Sequence, residues 1–376
     1  MPPVSRKVGA IGGGFKPLLA LRAACGLMWP LPCPKGPSLT QYSLADLGWT
    51  ADFADQITDE DAGHLPARLT SVHRARVEGL GEAGPVTLFL RPDMPMADLA
   101  VGDWVLHDLS RVTRILDRNS LMQRRAAGSG AERQLIAANL DTLFIVTSCN
   151  NDFNIGRLER FMILATTSEV EAVIVLTKAD LCEDVETYVA QARTLAPDLA
   201  VVALNAKEPD AVAALAQWCG PGKTVALLGS SGVGKSTIAN GLGTSIQDTG
   251  GIREDDAKGR HTTTRRNMLA LPGGGWLIDT PGLRELQLTD AESGIAALFG
   301  DLVTLAGECR FRNCTHAHEP GCAVQAGIAA GTIDAARVAR WQKLGVEAGS
   351  NTQTLKQAKA KAQALGKAHR KGKRVE

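Results

Sequence analysis

One short stretch constrains this chain more than any other: Gly229-Ser230-Ser231-Gly232-Val233-Gly234-Lys235-Ser236. It fits the pattern of a glycine, four free positions, then Gly-Lys-Ser/Thr, and it lies in the context that pattern needs. The apolar run Thr224–Leu228 leads into it, and a helix is expected from about Thr237. The glycines let backbone N–H groups curl around phosphate oxygens, and the start of the helix adds its positive end. Lys235 is then placed to reach the β- and γ-phosphates, and the Ser236 hydroxyl to bind magnesium, with Thr237 beside them. The bland alternative is a Gly-rich turn that happens to contain Lys-Ser, and the flanking strand and helix argue against it.

Asp279-Thr-Pro-Gly282 follows the apolar run Trp276–Ile278. An Asp ending a buried strand can orient magnesium, and the Gly282 N–H can contact a γ-phosphate. Between the two motifs lies Gly259-Arg-His261-Thr262-Thr263-Thr264 in a charged, polar loop. A switch loop needs a Thr hydroxyl that joins the magnesium shell only when the γ-phosphate is present. Thr263 is the favoured candidate, and Thr262 and Thr264 stay open. Leu283 occupies the position after the glycine where many G domains carry a water-orienting Gln, and it offers no hydrogen bond. His261 is the candidate to orient the attacking water in its place.

The base is expected to be read by Thr177-Lys178-Ala179-Asp180, which follows the apolar run Ala172–Leu176. The Asp180 carboxylate can accept from guanine N1–H and the 2-amino group, donors that adenine does not offer there. Lys178 would pack over the base, and Asn205-Ala206-Lys207 after the next strand would supply a backbone contact to its O6. G domains usually have Asn where this chain has Thr177. A hydroxyl replaces only part of an amide's bonding, so weaker guanine binding is expected. The order of parts is also unusual: Asp180 and Asn205–Lys207 precede Lys235, Thr263 and Asp279. Joining the old termini and reopening the chain elsewhere keeps such a sheet intact. The expected fold is therefore α/β, a circularly permuted P-loop G domain.

The surrounding pattern agrees. Thr142–Thr147, Ala172–Leu176, Leu199–Leu204, Thr224–Leu228 and Trp276–Ile278 read as buried strands, with helices at Gly156–Thr167 and Val185–Leu195. Buried strands alternating with helices mean a mostly parallel sheet. Ahead of them, Arg68–Val77, Pro85–Leu90, Asp103–Leu106 and Val112–Leu116 read as short strands, separated by Gly79, Gly81, Gly84 and Gly102. Several short strands in so small a region predict a compact barrel of OB type.

Near the C-terminus Cys309, Cys314, His316 and Cys322 offer three thiolates and an imidazole, a closed tetrahedral zinc set, with His318 as a competing fourth ligand. A closed site serves folding rather than catalysis. Arg310, Arg312 and His318 would form a basic surface beside it, and helices are expected through Ala323–Lys343. The other cysteines, Cys25, Cys33, Cys149, Cys182 and Cys219, are scattered, which fits a reducing cytoplasm.

Net charge is only +1, but eight of the 41 Lys and Arg residues lie between Lys356 and Arg374, a stretch without an acid. The body is therefore acidic and the tail basic, which suggests either an anionic partner or a solvated terminus. No uncharged apolar run reaches the ~18 residues that span a bilayer, so no membrane role is expected. The expected domains are 1–43, a disordered extension or misassigned start; 44–125, the barrel; 126–300, the G domain; 301–350, the helical zinc domain; and 351–376, the basic tail.

These pieces together resemble the ribosome-small-subunit-dependent GTPase A (RsgA/YjeQ) family. The resemblance rests on GSSGVGKS, GRHTTT, DTPG and the Cys₃His cluster, joined by NIGRLERFMIL at Asn154–Leu164 and QLIAANLD at Gln134–Asp141. It covers roughly residues 44–345, and Thr177 departs from its usual Asn. It implies a cytoplasmic factor of late small-subunit maturation that contacts rRNA, hydrolyses GTP to GDP with Mg2+ under stimulation by that subunit, and carries one zinc. It also places His261 in the proposed catalytic position. A monomer is expected. Two rival readings are a P-loop ATPase or kinase, with Asp180 incidental, and a zinc-dependent RNA-binding module with a weak nucleotide site.

Overall fold

Strands without polar alternation become the centre of a sheet when both of its faces are covered. The structure, a computed structural model, describes residues 41–73, 75–125, 133–244, 266–279 and 291–350. Its first five strands are β1 (Leu65–Val72), β2 (Arg76–Gly81), β3 (Gly84–Phe89), β4 (Trp104–His107) and β5 (Val112–Ile115). Two more, β6 (Leu121–Arg125) and β7 (Arg133–Ala138), pair with each other. The rest are β8 (Thr142–Ser148), β9 (Glu171–Thr177), β10 (Ala200–Ala203), β11 (Thr224–Gly229), β12 (Asn267–Ala270) and β13 (Trp276–Asp279). The helices are α1 (Ala51–Ala54), α2 (Ile155–Thr167), α3 (Val185–Arg193), α4 (Pro209–Ala213) and α5 (Lys235–Gly241). After them come α6 (Glu292–Leu298), α7 (Gly300–Gly307), α8 (Ala323–Ala329) and α9 (335–350).

All five runs read as buried strands do form strands. They stand in the order β10-β9-β8-β11-β13, with every pairing parallel, and β12 adds to β13 antiparallel. Every residue of β8 and β11 is buried. Helices α2 and α3 begin at Asn154 and Asp184, whose side chains accept from the N–H groups of Arg157 and Thr187. Each satisfies an otherwise unpaired first-turn donor.

The N-terminal strands differ from the reading over β1 to β3. Arg68–Val77 is not a single strand: β1 ends at Val72 and β2 starts at Arg76, and Gly79, Gly81 and Gly84 lie within strands rather than between them. A bulge in β1 between Leu69 and Ser71 shifts the register and bends the ladder. β1 pairs with β2 and with β4, β2 with β3, and β4 with β5. One bridge, Phe89 to Arg111, joins β3 to the start of β5, and Ala67, Leu69, Val77, Leu88, Val105 and Val112 fill the inside.

These strands and the parallel sheet share one hydrogen-bonded ladder, through the pair Ser71 and Asn267 between β1 and β12. Arg68 fastens the same junction from inside. It is 1% exposed and donates to the carbonyls of Leu47 (2.5 Å), Gly102 (3.4 Å) and Asn139 (2.9 Å). Burial lowers its pKa to about 10, partly offset by Asp141 and Asp103, so the guanidinium stays charged at neutral pH.

The C-terminal helices pack on α2. Ile163 of α2 joins Phe299, Leu302, Val324 and Val338 in one cluster. Where the sequence predicts helix through Ala323–Lys343, two helices form, α8 and α9. Ion pairs Arg340–Glu159 (2.9 Å) and Arg160–Glu347 (2.5 Å) tie α9 to α2. Among the described residues no helix is long and apolar enough to cross a membrane.

Candidate nucleotide site and metal centre

Strand β11 delivers the chain into the loop Gly229–Gly234. Gly229 is needed because a Cβ there would lie 2.1 Å from the Val146 carbonyl oxygen of β8. Val233, 1% exposed, anchors the loop in the core beneath it. The loop ends with Gly234 at φ +100, the cap of α5. Ser230 is half-buried and Ser231 and Gly232 are exposed, as are Ser236 and Thr237 on the first turn of α5. The Lys235 ammonium lies back over the loop, donating to the carbonyls of Gly229 (2.8 Å) and Ser230 (2.5 Å).

Three motifs far apart in the sequence meet at Gly234. A Cβ built there would lie 3.6 Å from Thr177 Cγ2 and 3.8 Å from Ala206 Cβ. Thr177 is fully buried, and its hydroxyl donates to the Val233 carbonyl at 2.6 Å. That bond ties the end of β9 to the phosphate loop. Lys178 follows in the left-handed conformation, φ +58, which turns the chain so that Asp180 comes out exposed. Asn205 shapes its own turn: its Oδ1 accepts from Lys207 N–H at 3.1 Å, and its Nδ2 donates to Glu208 at 2.8 Å. Ala206 thus faces the loop, while Lys207 is exposed.

Asp279 ends β13, the parallel neighbour of β11. Burial pushes its pKa above the usual carboxylate value, and the charge of Lys235 pulls it back. A partly buried carboxylate within electrostatic reach of the lysine is a donor set suited to magnesium on a polyphosphate. His261, Thr262, Thr263, Thr264, Gly282 and Leu283 lie outside the described residues.

The four predicted zinc ligands come together. One donor atom from each of Cys309, Cys314, His316 and Cys322 lies within 4.8 Å of the others. Cys309 Sγ is 3.9 Å from Cys322 Sγ, and His316 Nδ1 is 3.5 and 3.6 Å from those two sulfurs. Zinc–sulfur bonds of ~2.3 Å at tetrahedral angles put sulfurs about 3.8 Å apart, so the set fits one zinc ion. The competing ligand His318 is exposed and is not in the group, because the chain turns at His316, φ +60. Glu319 holds that turn by accepting from Thr315 and Ala317, bonds that drop its pKa to about 2. Gln325, which the sequence reading missed, donates its N–H to Cys322 Sγ (3.4 Å) and its amide to the His316 carbonyl (2.6 Å). Trp341 stacks by the His316 ring at 5.4 Å and joins the cluster to α9.

Fold and site together define a circularly permuted P-loop GTPase. A sequence model of the RsgA GTPase family matches residues 115–289, and a Mesorhizobium japonicum protein named small ribosomal subunit biogenesis GTPase RsgA is 53% identical over 328 residues, 86% of this chain and 94% of its own. The chain belongs to the RsgA GTPase family. A Vibrio parahaemolyticus protein named small ribosomal subunit biogenesis GTPase RsgA 2 is 47% identical over 331 residues, 87% of this chain and 92% of its own. Among solved structures, YjeQ from Thermotoga maritima superposes with a TM-score of 0.56 at 25% identity, over 76% of this chain and 98% of that one. YloQ, described as a circularly permuted GTPase, gives 0.55 at 21% identity, over 79% and 99%, a likeness of fold.

Proposed function

We propose that this chain hydrolyses GTP as a maturation factor of the small ribosomal subunit, working in the cytoplasm as a monomer that binds rRNA and leaves the subunit on hydrolysis. The observation that carries this reading is the joint at Gly234. Thr177 and Ala206, from the two base-reading motifs, pack against the phosphate loop, with Asp279 facing Lys235 beside them. The names of its relatives supply the subunit.

Asp180 accepts from guanine, Lys178 packs over the base, and the Asn205–Lys207 turn presents a backbone N–H to O6. N–H groups of Gly229–Gly234 cradle the phosphates, and Lys235 bridges the β- and γ-oxygens. Ser236 and Thr263 would hold magnesium, with Asp279 in support, and the ion would supply positive charge that offsets the charge on the phosphates. His261 orients the attacking water, and Gly282 N–H senses the γ-phosphate. Cys309, Cys314, His316 and Cys322 hold a structural zinc that supports the fold of the C-terminal helices.

The N-terminal strands run in the circuit β1-β2-β3-β5-β4-β1 when the Phe89–Arg111 bridge is counted, which supports an OB barrel. The division into barrel at 44–125, G domain at 126–300 and zinc domain at 301–350 is part of the same proposal. The ladder of β6 with β7 straddles its first boundary.

Nucleotide exchange tests the base reading. In Asp180→Asn an amide donor faces the guanine 2-amino group but suits the 2-oxo group of xanthine. The variant is expected to lose GTP affinity by about 5- to 150-fold, the span of one bidentate base contact, and to gain xanthosine triphosphate. Unchanged GTP affinity, or ATP competing as well as GTP for the parent protein, would favour the P-loop ATPase reading instead.

A further inference from the structure

Two large apolar side chains are exposed together at one end of the barrel. Phe89, the last residue of β3, is 54% exposed, and Leu109, in the turn from β4 to β5, is 70% exposed. The Phe89 N–H donates to the Ser110 carbonyl at 2.9 Å, so the two lie on adjoining backbone.

Register fixes what flanks the Phe89 ring. Across the ladder its partner on β2 is Arg76, and on its other side the single bridge joins it to Arg111. Paired residues project from the same face of a sheet. An exposed aromatic ring therefore stands in a row between two exposed arginines. Among the described residues no carboxylate lies within ion-pair reach of Arg111, and Arg76 has only a 3.4 Å contact with Glu78.

The turn beside this row is tightly held. The Asp108 carboxylate accepts from the N–H groups of Ser110 (2.9 Å) and Arg111 (2.7 Å) and from the Ser110 hydroxyl (3.0 Å). Those bonds draw the Asp108 pKa down to about 2. His107 Nδ1 accepts from the Leu109 N–H at 3.0 Å. Leu109 is left at φ +80, a conformation that disfavours any residue with a Cβ, and its side chain contributes nothing to the core.

A flat ring between two cations suits an unstacked nucleobase whose phosphates lie on either side. Duplex RNA keeps its bases stacked inside and would leave the ring without a partner. We propose that Arg76, Phe89 and Arg111, with Leu109 beside them, form a platform on which an unpaired RNA nucleotide stacks. The proposal rests on the reading of the chain as a small-subunit factor and names where its barrel takes RNA.

The test uses the full chain, a fluorescent single-stranded RNA of about 12 nucleotides, the matching duplex, and purified small subunits. Phe89→Ala is expected to weaken single-strand binding about 5- to 150-fold with the same salt dependence, since a base contact and no phosphate contact is removed. Phe89→Tyr should restore it. Arg111→Gln should weaken binding and flatten the salt slope by about 0.7, the change for one phosphate on a single strand. Phe89 is exposed, so an unchanged melting temperature will show that the variants fold. Single-strand affinity equal to the parent's in Phe89→Ala, or a parent that binds duplex as tightly as single strands, overturns the platform. So does loss of subunit binding without loss of oligonucleotide binding, which assigns the ring to a protein neighbour. A parent that ignores small subunits, yet binds single strands through Phe89, overturns the subunit reading and leaves the platform standing.

Discussion

Replacing the usual Asn of the base-reading motif by Thr177 removes an amide, yet the hydroxyl that remains is committed to the carbonyl of Val233 at 2.6 Å. The sequence predicts weakened guanine binding from this substitution, and the structure supplies a reason for a smaller effect. Thr177 holds the end of β9 to the loop that β11 leads into. In Thr177→Val the shape is kept but the Val233 carbonyl loses that donor in a buried place, which costs about 1–3 kcal/mol. A lower melting temperature and weaker GTP binding are both expected, measured by thermal unfolding and nucleotide titration. A variant that unfolds like the parent and binds GTP as well would show that the bond joins nothing. Sequence could not reveal this role, because the two partners are 56 positions apart and neither residue type announces the bond. The placement of Lys235, Ser236 and Asp279 just after or at the ends of β11 and β13 was legible for the opposite reason. Their chemistry depends on local spacing after a strand, which survives permutation.

At the scale of elements, the buried strands and the helices α2 and α3 were legible because continuous apolar runs and a 3.6-residue period report burial directly. Contacts between elements were not. Glu159 lies on α2 with its carboxylate buried, and burial raises its pKa while Arg340 of α9 pulls it down. In the sequence it is one more charge on an amphipathic helix. Arg340→Leu would strand that carboxylate, at a cost of about 3 kcal/mol, the low end for a broken buried pair because Arg340 itself is partly exposed. A folded pKa above the unfolded one favours the protonated form, so stability from Glu159 is present at low pH and lost as pH rises. The gap between variant and parent should therefore be wider at neutral pH than near the ordinary carboxylate pKa. Adding Glu159→Leu to Arg340→Leu should recover much of the loss. Thermal unfolding at several pH values checks both points, and a gap that is the same at every pH would contradict them.

The described residues form a mostly parallel sheet continued by a second set of strands, with the C-terminal helices on α2. Its class and order of parts were readable from motif order alone, and its family follows from relatives that span most of the chain. What joins the parts was hidden. In the sequence Arg68 is only the first residue of a predicted short strand. In the structure it lies fully inside, bonded to carbonyls 21, 34 and 71 positions away. Such a residue ties the N-terminal strands to the chain that leads into the nucleotide sheet. In the proposed mechanism hydrolysis depends on the partner: Leu283 has no hydrogen bond to offer the attacking water, and His261 is proposed to orient it once the subunit holds the switch. The most direct test is steady-state GTP hydrolysis by the purified chain, with and without purified small ribosomal subunits, and with ATP as control. Slow GTP turnover that rises strongly with subunits, without comparable ATP turnover, is the predicted result. GTP turnover that ignores the subunits would contradict the account.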